Sequence, residues 1–287
     1  MDERKKPPAV AGVIGGGTMG AGIAHVLLAA GVQVTVAESS AHRASAAADA
    51  VLASLVKAAE RGKLLGTPED SHRRLSTVDN IDKLPSNAEL VVEAVPEDIE
   101  LKRSVLADAA RACPNAVLAS NTSSLSITAL AESLPAERVV GMHFFNPVPA
   151  QELVELVHHD RLAADVRQRA GEWARALGKT VIEVRDSPGF ATSRLGVAVG
   201  LEAIRLLADG VASAEDIDTG MRLGYRWPMG PLRLTDLVGL DVRLAIAEHL
   251  ATELGPRFEP PKLLRDKVNR GELGRKTGRG FFTWDDV

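Results

Sequence analysis

The sequence predicts an α/β protein: an N-terminal doubly wound sheet followed by an all-helical C-terminal part. Three observations carry this. Strand-like apolar runs alternate with helix-like periodic segments from residue 10 to residue 184, the pattern of a mostly parallel sheet. A glycine-rich turn joins the first run to the first helix. From Ser187 onward the apolar period is helical, and no convincing strand recurs until the very end. The expected domains are residues 1–186, a Rossmann-type nucleotide-binding domain, and residues 187–287, a helical domain.

The elements follow in order. Val10–Ile14 is a short apolar strand, and Gly15-Gly16-Gly17-Thr18-Met19-Gly20 turns into a helix over 21–30 that Gly31 stops. A second strand over 32–37 ends at Glu38. Gly15, Gly17 and Gly20 fit G-x-G-x-x-G: a tight turn, a close approach of backbone to pyrophosphate, and a close helix–strand contact. Glu38 lies 18 residues beyond Gly20, near the roughly 20 expected of the acid that binds a ribose. Strand, turn, helix, strand and acid together point to a dinucleotide. Residues 41–63 read as a long helix, 69–74 as helix or loop, and 75–78 as a short strand. Strands over 89–95, 116–119 and 139–145 alternate with helices over 99–112 and 127–134. A strand at 152–157, a helix at 161–177 and a strand at 180–184 complete the sheet. Ser187-Pro188 then reads as an N-cap with proline at the first helical position, opening a helix that runs to Ala208. Ser213 and Asp216 suggest a cap for the next helix, and further helices are expected within 230–254 and 261–270.

Composition narrows the function. The chain has 287 residues, 45 % hydrophobic, ample for a buried core, and its length suggests about two domains. The net charge of −4 and the lack of any Lys/Arg block argue against nucleic acid as a partner. The single cysteine, Cys113, allows no intrachain disulfide and suits a cytoplasmic location. Residues 1–8 are charged and proline-rich, unlike a secretory signal, and no apolar run approaches the roughly 20 residues of a membrane span. The first helix of the second domain is rich in apolar residues, which fits burial within the domain or between subunits equally well.

Ligands of a doubly wound sheet sit at the carboxyl ends of its strands. Three polar clusters fall there: Glu97-Asp98, Asn121-Thr122-Ser123-Ser124, and His143 with Asn146. A hydride transfer needs a base for the hydroxyl proton, a task that suits histidine near neutral pH. Of seven histidines, His25, His42, His72, His158 and His159 read as solvated surface groups, and His249 as structural or surface. His143, between Met142 and Phe144 at a strand end, is the candidate base, with a satisfied core histidine as the alternative. Glu152 and Glu155 could each orient it. They lie on opposite faces of one strand, each among apolar residues, so the pattern does not choose between them.

The motifs GVIGGGTMGAGIA, VVEAVPEDIELK, LASNTSSLSIT, GMHFFNPVPAQELVELV, DSPGF, YRWPMGPLRLTDLVGLD and GRKTGRGFF run in order along almost the whole chain. With them the chain resembles L-3-hydroxyacyl-CoA dehydrogenases, most closely those acting on 3-hydroxybutyryl-CoA. The resemblance implies His143 and Glu155 as the catalytic pair and Ser123 as a substrate-contacting serine. It places Thr18 and Met19 with Gly15, Gly17 and Gly20 on the NAD, together with Glu38, Glu97, Lys102, Asn146 and Lys276. Lys57 and Lys63 become candidates for the CoA phosphates. It also implies an acyl-CoA substrate and a homodimer formed by the helical domain. One departure is Ser193, which stands where the family commonly has asparagine near the substrate carbonyl; it bears on substrate range more than on the reaction. Two alternatives remain: a hydroxyacid or sugar-acid dehydrogenase that does not use CoA, and a non-catalytic nucleotide-binding protein of the same fold.

Overall fold

The computed structural model describes residues 6–64 and 66–284. Two compact units divide it, residues 1–186 and 187–287.

The first unit holds, among the described residues, an eight-stranded sheet. Its strands are β1 (Val10–Ile14), β2 (Gln33–Ala37), β3 (Leu75–Val78), β4 (Leu90–Glu93), β5 (Val117–Ser120), β6 (Val139–Phe144), β7 (Leu153–His158) and β8 (Thr180–Arg185). Their spatial order is β3-β2-β1-β4-β5-β6-β7-β8. Strands β1 to β6 pair in parallel; β7 pairs antiparallel with β6, and β8, parallel to β7, runs with it against the other six. The order reverses at β1, which lies between β2 and β4, so the crevice for a ligand opens beyond the carboxyl end of β1. The helices are α1 (Thr18–Ala29), α2 (Ala41–Glu60), α3 (Pro68–Arg73), α4 (Ile99–Ala112), the single turn α5 (Ile127–Leu130), and α6 (Ala164–Ala176).

Local chemistry explains the boundaries. Ser40 caps α2 by accepting from the Arg43 N–H at 3.3 Å, and Asp98 caps α4 by accepting from Leu101 at 2.8 Å. Helix α1 has no polar cap; Gly17 stands at its N-cap without a side-chain hydrogen bond. One continuous aliphatic core runs through α1 and the sheet, from Val13, Ile23 and Leu27 to Val92, Met142 and Leu156. The strands need no polar alternation because helices cover a buried parallel sheet on both faces.

The second unit consists of α7 (Thr192–Ala208), α8 (Ala214–Gly224), α9 (Pro231–Val238), α10 (Leu240–Leu254) and α11 (Lys262–Asn269), followed by isolated bridges at Gly274, Arg279 and Thr283. Its core is separate: Val197, Leu201 and Ile204 of α7 meet Leu232, Ala247, Leu250, Phe258 and Leu264. Buried carboxylates pin its turns. Asp218 accepts from the Leu232 and Arg233 N–H groups at 2.8 Å, capping α9 from a neighbouring helix. Asp236 accepts from the Phe281 and Phe282 N–H groups and from the Trp284 indole. That contact explains why the TDLVGLD and GRGFF motifs occur together in one chain. Helix α7 opens at Thr192, four residues later than the Ser187-Pro188 cap suggests. Gly189 and Phe190 both take positive φ, +72° and +50°, and a helix cannot pass through them.

Candidate active site

The parallel register brings the carboxyl ends of β1, β2, β4, β5 and β6 to one edge of the sheet. The glycine turn leaves β1 there. Gly15 has φ +90°, and a Cβ on Gly20 would fall 1.7 Å from the Gly15 carbonyl oxygen, so both positions demand glycine. A Cβ on Gly17 would meet nothing within 4 Å. The backbone there is open to a ligand, and the first-turn N–H groups of α1 have no side-chain cap and no acid beside them. This is an anion cradle of the kind that takes a pyrophosphate. Thr18 is exposed and Met19 half-buried at its lip.

Glu38 follows β2. Its Oε1 accepts from the Gly16 N–H at 2.7 Å, and its Oε2 accepts from the Ser39 N–H and from Arg43 Nε at 2.9 Å. Partial burial works to raise its carboxyl, but the Gly16 and Ser39 N–H groups and Arg43 outweigh burial and hold it below the ordinary glutamate range. The acid is therefore an anion tied to the glycine turn itself, at the place where a ribose hydroxyl pair would need an acceptor. A dinucleotide fits these residues.

His143 is the penultimate residue of β6, and Glu155 stands directly opposite it on β7 in the antiparallel register. Opposed residues of such a pair point to the same face. Here His143 Nδ1 and Glu155 Oε2 are 2.7 Å apart, with Glu155 fully buried and His143 7 % exposed. The Phe145 ring lies 4.4 Å from the imidazole. Glu152, the other acid of that strand, is exposed and precedes β7. The reversal of β7 thus makes the choice that alternation alone leaves open.

Beside this pair lies the Ser-rich loop after β5. Asn121 Oδ1 accepts from the Phe144 N–H at 2.9 Å, which ties that loop to the strand of His143. Ser123 is half-buried. Its N–H and Oγ approach Glu97 Oε1 at 3.0 and 3.4 Å, and Thr122 Oγ1 and Ser124 Oγ donate to the same oxygen. Glu97 is thereby fixed in the loop after β4, with 37 % of its side chain exposed. Asn146 is exposed in the loop that follows β6.

The description "3-hydroxyacyl-CoA dehydrogenase, NAD binding domain" matches residues 10–187, and "3-hydroxyacyl-CoA dehydrogenase, C-terminal domain" matches residues 189–284. The chain belongs to the 3-hydroxyacyl-CoA dehydrogenase family. It is 42 % identical over 278 residues to a 3-hydroxybutyryl-CoA dehydrogenase of Mycobacterium tuberculosis, covering 95 % of this chain and 97 % of that one. It is 41 % identical to a 3-hydroxyadipyl-CoA dehydrogenase of Escherichia coli K12, covering 95 % of this chain and 58 % of that longer one. Among solved structures, M. tuberculosis FadB2 superposes with a TM-score of 0.92 at 40 % identity, covering 97 % of this chain and 99 % of that one. The (S)-3-hydroxybutyryl-CoA dehydrogenase PaaH1 of Ralstonia eutropha gives 0.91 at 37 % identity, with coverages of 97 % and 100 %.

As a member of this family, the chain is an NAD-dependent oxidoreductase. Its other expected site residues are placed as follows. Lys102 of α4, expected at the cofactor, has no exposed surface. Its ammonium donates to Glu93 Oε1 at 2.7 Å and to the Val95 carbonyl at 3.1 Å, and lies 3.4 Å from Glu97 Oε2. Lys57, in the last turn of α2, and Lys63, just beyond it, are exposed, and neither has an ion pair among the described residues. Ser193 lies in the first turn of α7, half-buried. Lys276 belongs to the second unit, where it pairs with Asp241 at 2.6 Å.

Two functional neighbours escaped the sequence reading. Glu93, at the end of β4, is fully buried and receives Lys102, Ser120 Oγ at 2.6 Å and the Val95 N–H at 2.6 Å. Burial pushes its carboxyl up, against the pull of Lys102 and these hydrogen bonds. Lys179, buried, donates to the Val148 and Gln151 carbonyls at 2.7 Å each and so holds the loop that carries Asn146. A charged residue inside an apolar strand was the available signal for Glu93. Two histidines also need correcting. His25 and His159 are buried, not solvated: His25 Nδ1 meets Ser54 Oγ at 2.8 Å, and His159 Nε2 meets the Val139 carbonyl at 3.1 Å. Each finds its partner on a neighbouring element, which local sequence does not reveal.

Proposed function

We propose that His143 and Glu155 are the acid–base pair with which this dehydrogenase oxidises the 3-hydroxyl of a short-chain (S)-3-hydroxyacyl-CoA, reversibly, to the 3-oxoacyl-CoA. The observation that carries this reading is the buried His143–Glu155 contact at the carboxyl edge of the sheet that also carries the glycine cradle. Glu155 holds the Nδ1 proton of the imidazole, which leaves Nε2 to take the hydroxyl proton. The buried carboxylate favours the imidazolium so formed. In the reverse direction His143 returns that proton to the oxygen of the 3-oxo group. Bound NAD supplies the hydride acceptor.

The remaining residues bind and orient. The α1 N–H groups behind Gly15 and Gly17 would hold the pyrophosphate, and Glu38 the adenosine ribose. Ser123, steadied through Glu97, would donate to the substrate oxygen. Lys102, with Glu93 beneath it, acts on the cofactor through Glu97 rather than by touching it. Asn146 and Lys276 complete the cofactor contacts. Lys57 and Lys63, exposed cations without carboxylate partners, suit the CoA phosphates, and Ser193 would face the acyl group. The second unit carries most of the exposed large apolar side chains, among them Leu195, Val211, Leu223 and Tyr225. Such surface is characteristic of an interface, so the working form is a homodimer built through residues 187–287, in the cytoplasm.

The test is NADH absorbance after addition of acetoacetyl-CoA, with acetoacetate and NADPH as comparators. The thioester with NADH should turn over fastest, because Glu38 repels a 2′-phosphate. Equal turnover of free acetoacetate would favour the CoA-independent reading, and a higher kcat/KM with NADPH would overturn the role of Glu38.

A further inference from the structure

The acid at the end of β2 is covered, and the cation beside it is not. Glu38 turns its carboxylate back under the glycine turn: a Cβ on Gly16 would stand 3.4 Å from Oε1, which accepts the Gly16 N–H at 2.7 Å. Its Oε2 accepts the Ser39 N–H at 3.1 Å and Arg43 Nε at 2.9 Å. These three bonds fill most of the roughly four acceptor positions of a carboxylate. Only 7 % of the Glu38 side chain is exposed, against 63 % of the Arg43 side chain. The charge that the end of β2 presents to solvent is therefore that of the guanidinium.

Local sequence fixes this arrangement. Ser40 caps α2 by accepting the Arg43 N–H at 3.3 Å, which anchors the Arg43 backbone in the first turn of that helix. From there the side chain reaches back to Glu38 through Nε, and its exposed Nη edge remains to donate. An ion pair with one partner largely in water is weak, so Arg43 can exchange Glu38 for a stronger anion. Under the proposed function, on which this step rests, the adenosine ribose lies against Glu38. Its 2′ position then falls within reach of the guanidinium, and an arginine so placed accommodates a 2′-phosphate.

We infer that Arg43 is a specificity-determining residue of the coenzyme site: it receives a 2′-phosphate on the adenosine ribose, so that NADPH serves as a second coenzyme beside NADH. The acid and the arginine act in opposition. Glu38 favours NADH through the ribose hydroxyls and repels the phosphate. Arg43 neutralises part of that repulsion and offers the planar fork that takes a phosphate through two hydrogen bonds. NADH remains the preferred coenzyme, and the pair sets the margin.

The experiment reads binding without turnover: calorimetric titration with NADH and with NADPH in the absence of any acyl-CoA, beside kcat/KM for both with acetoacetyl-CoA. The native enzyme should bind both coenzymes, NADH more tightly. Arg43→Met should weaken NADPH relative to NADH by roughly 10- to 100-fold, the range of a charge-assisted hydrogen bond. Arg43→Lys should restore part of that loss, since an ammonium keeps the charge without the fork. Glu38→Gln removes the repulsion and should reverse the order in favour of NADPH, and adding Arg43→Met should abolish the reversal. Because each ratio is taken within one preparation, loss of folded enzyme cancels. A native enzyme that binds NADH but not NADPH, a ratio unmoved by Arg43→Met, or an equal loss on both coenzymes would each overturn the assignment. The last would place Arg43 on the adenine or on the ribose common to both. All three leave NADH-dependent oxidation standing. A native enzyme that binds no NADH would instead remove the dinucleotide site on which the assignment rests.

Discussion

Both units bury cations, and they treat them differently. In the first unit Lys102 is fully enclosed and meets Glu93, the Val95 carbonyl and Glu97, while Lys179 meets two carbonyls. In the second unit Arg243, 8 % exposed, has an Nε without a hydrogen-bond partner and pairs with no carboxylate among the described residues. A buried charge with its partners in place is scaffold. Lys102 locks Glu97, and Glu97 locks the Ser-rich loop beside His143.

The contrast can be broken by thermal or urea unfolding. Lys102→Met leaves the Glu93 carboxylate buried and uncompensated, and should cost about 3–5 kcal/mol of stability. Adding Glu93→Leu should recover most of that loss, since replacing both members of a buried pair by apolar groups is nearly neutral. Arg243→Met removes a charge that pairs with no carboxylate among the described residues, so it should leave the midpoint unchanged or raise it. Comparable destabilisation by Lys102→Met and Arg243→Met would mean that the two cations play the same structural part.

A smaller effect concerns the surfaces. Leu223 and Tyr225 of the second unit are 72 % and 74 % exposed, whereas among the described residues of the first unit the exposed large apolar ones are Val56 and Leu101. Sedimentation at micromolar concentration should give a dimer. Leu223→Asp combined with Tyr225→Asp should weaken it by roughly tenfold or more in Kd, as the loss of a buried aromatic anchor does. A native monomer, or a dimer indifferent to both substitutions, would move the interface elsewhere or remove it.

How much of this the sequence discloses depends on the range of the interaction. The βαβ unit from Val10 to Glu38 is legible because every part of it is local: apolar runs, glycines at fixed offsets and an acid at the strand end. The three clusters at the strand ends are legible for the same reason, since sheet topology delivers them to one edge. The partner of His143 is not legible from pattern, because Glu152 and Glu155 both fall in the strand the sequence predicts; β7 begins only at Leu153, and its register sets Glu155 opposite His143. Ser187-Pro188 mimics a helix start, yet the positive φ of Gly189 and Phe190 postpones α7 to Thr192. Glu93 and Arg243 announce themselves only as charges in apolar slots. What they touch, or fail to touch, is set by elements far away in the chain.

The proton transfer by His143 is the centre of the account, and a single-turnover experiment tests it most directly. His143→Gln keeps a polar side chain of similar size beside Glu155 and removes the titrating group. The observable is the rate of NADH oxidation when acetoacetyl-CoA is mixed with an excess of enzyme already holding NADH. Removal of a general acid or base should slow this step about 10²- to 10⁴-fold, with the melting temperature and NADH binding held near the native values. A His143→Gln enzyme that oxidises NADH within about threefold of the native rate, far short of that loss, would contradict the account and place the proton on another group.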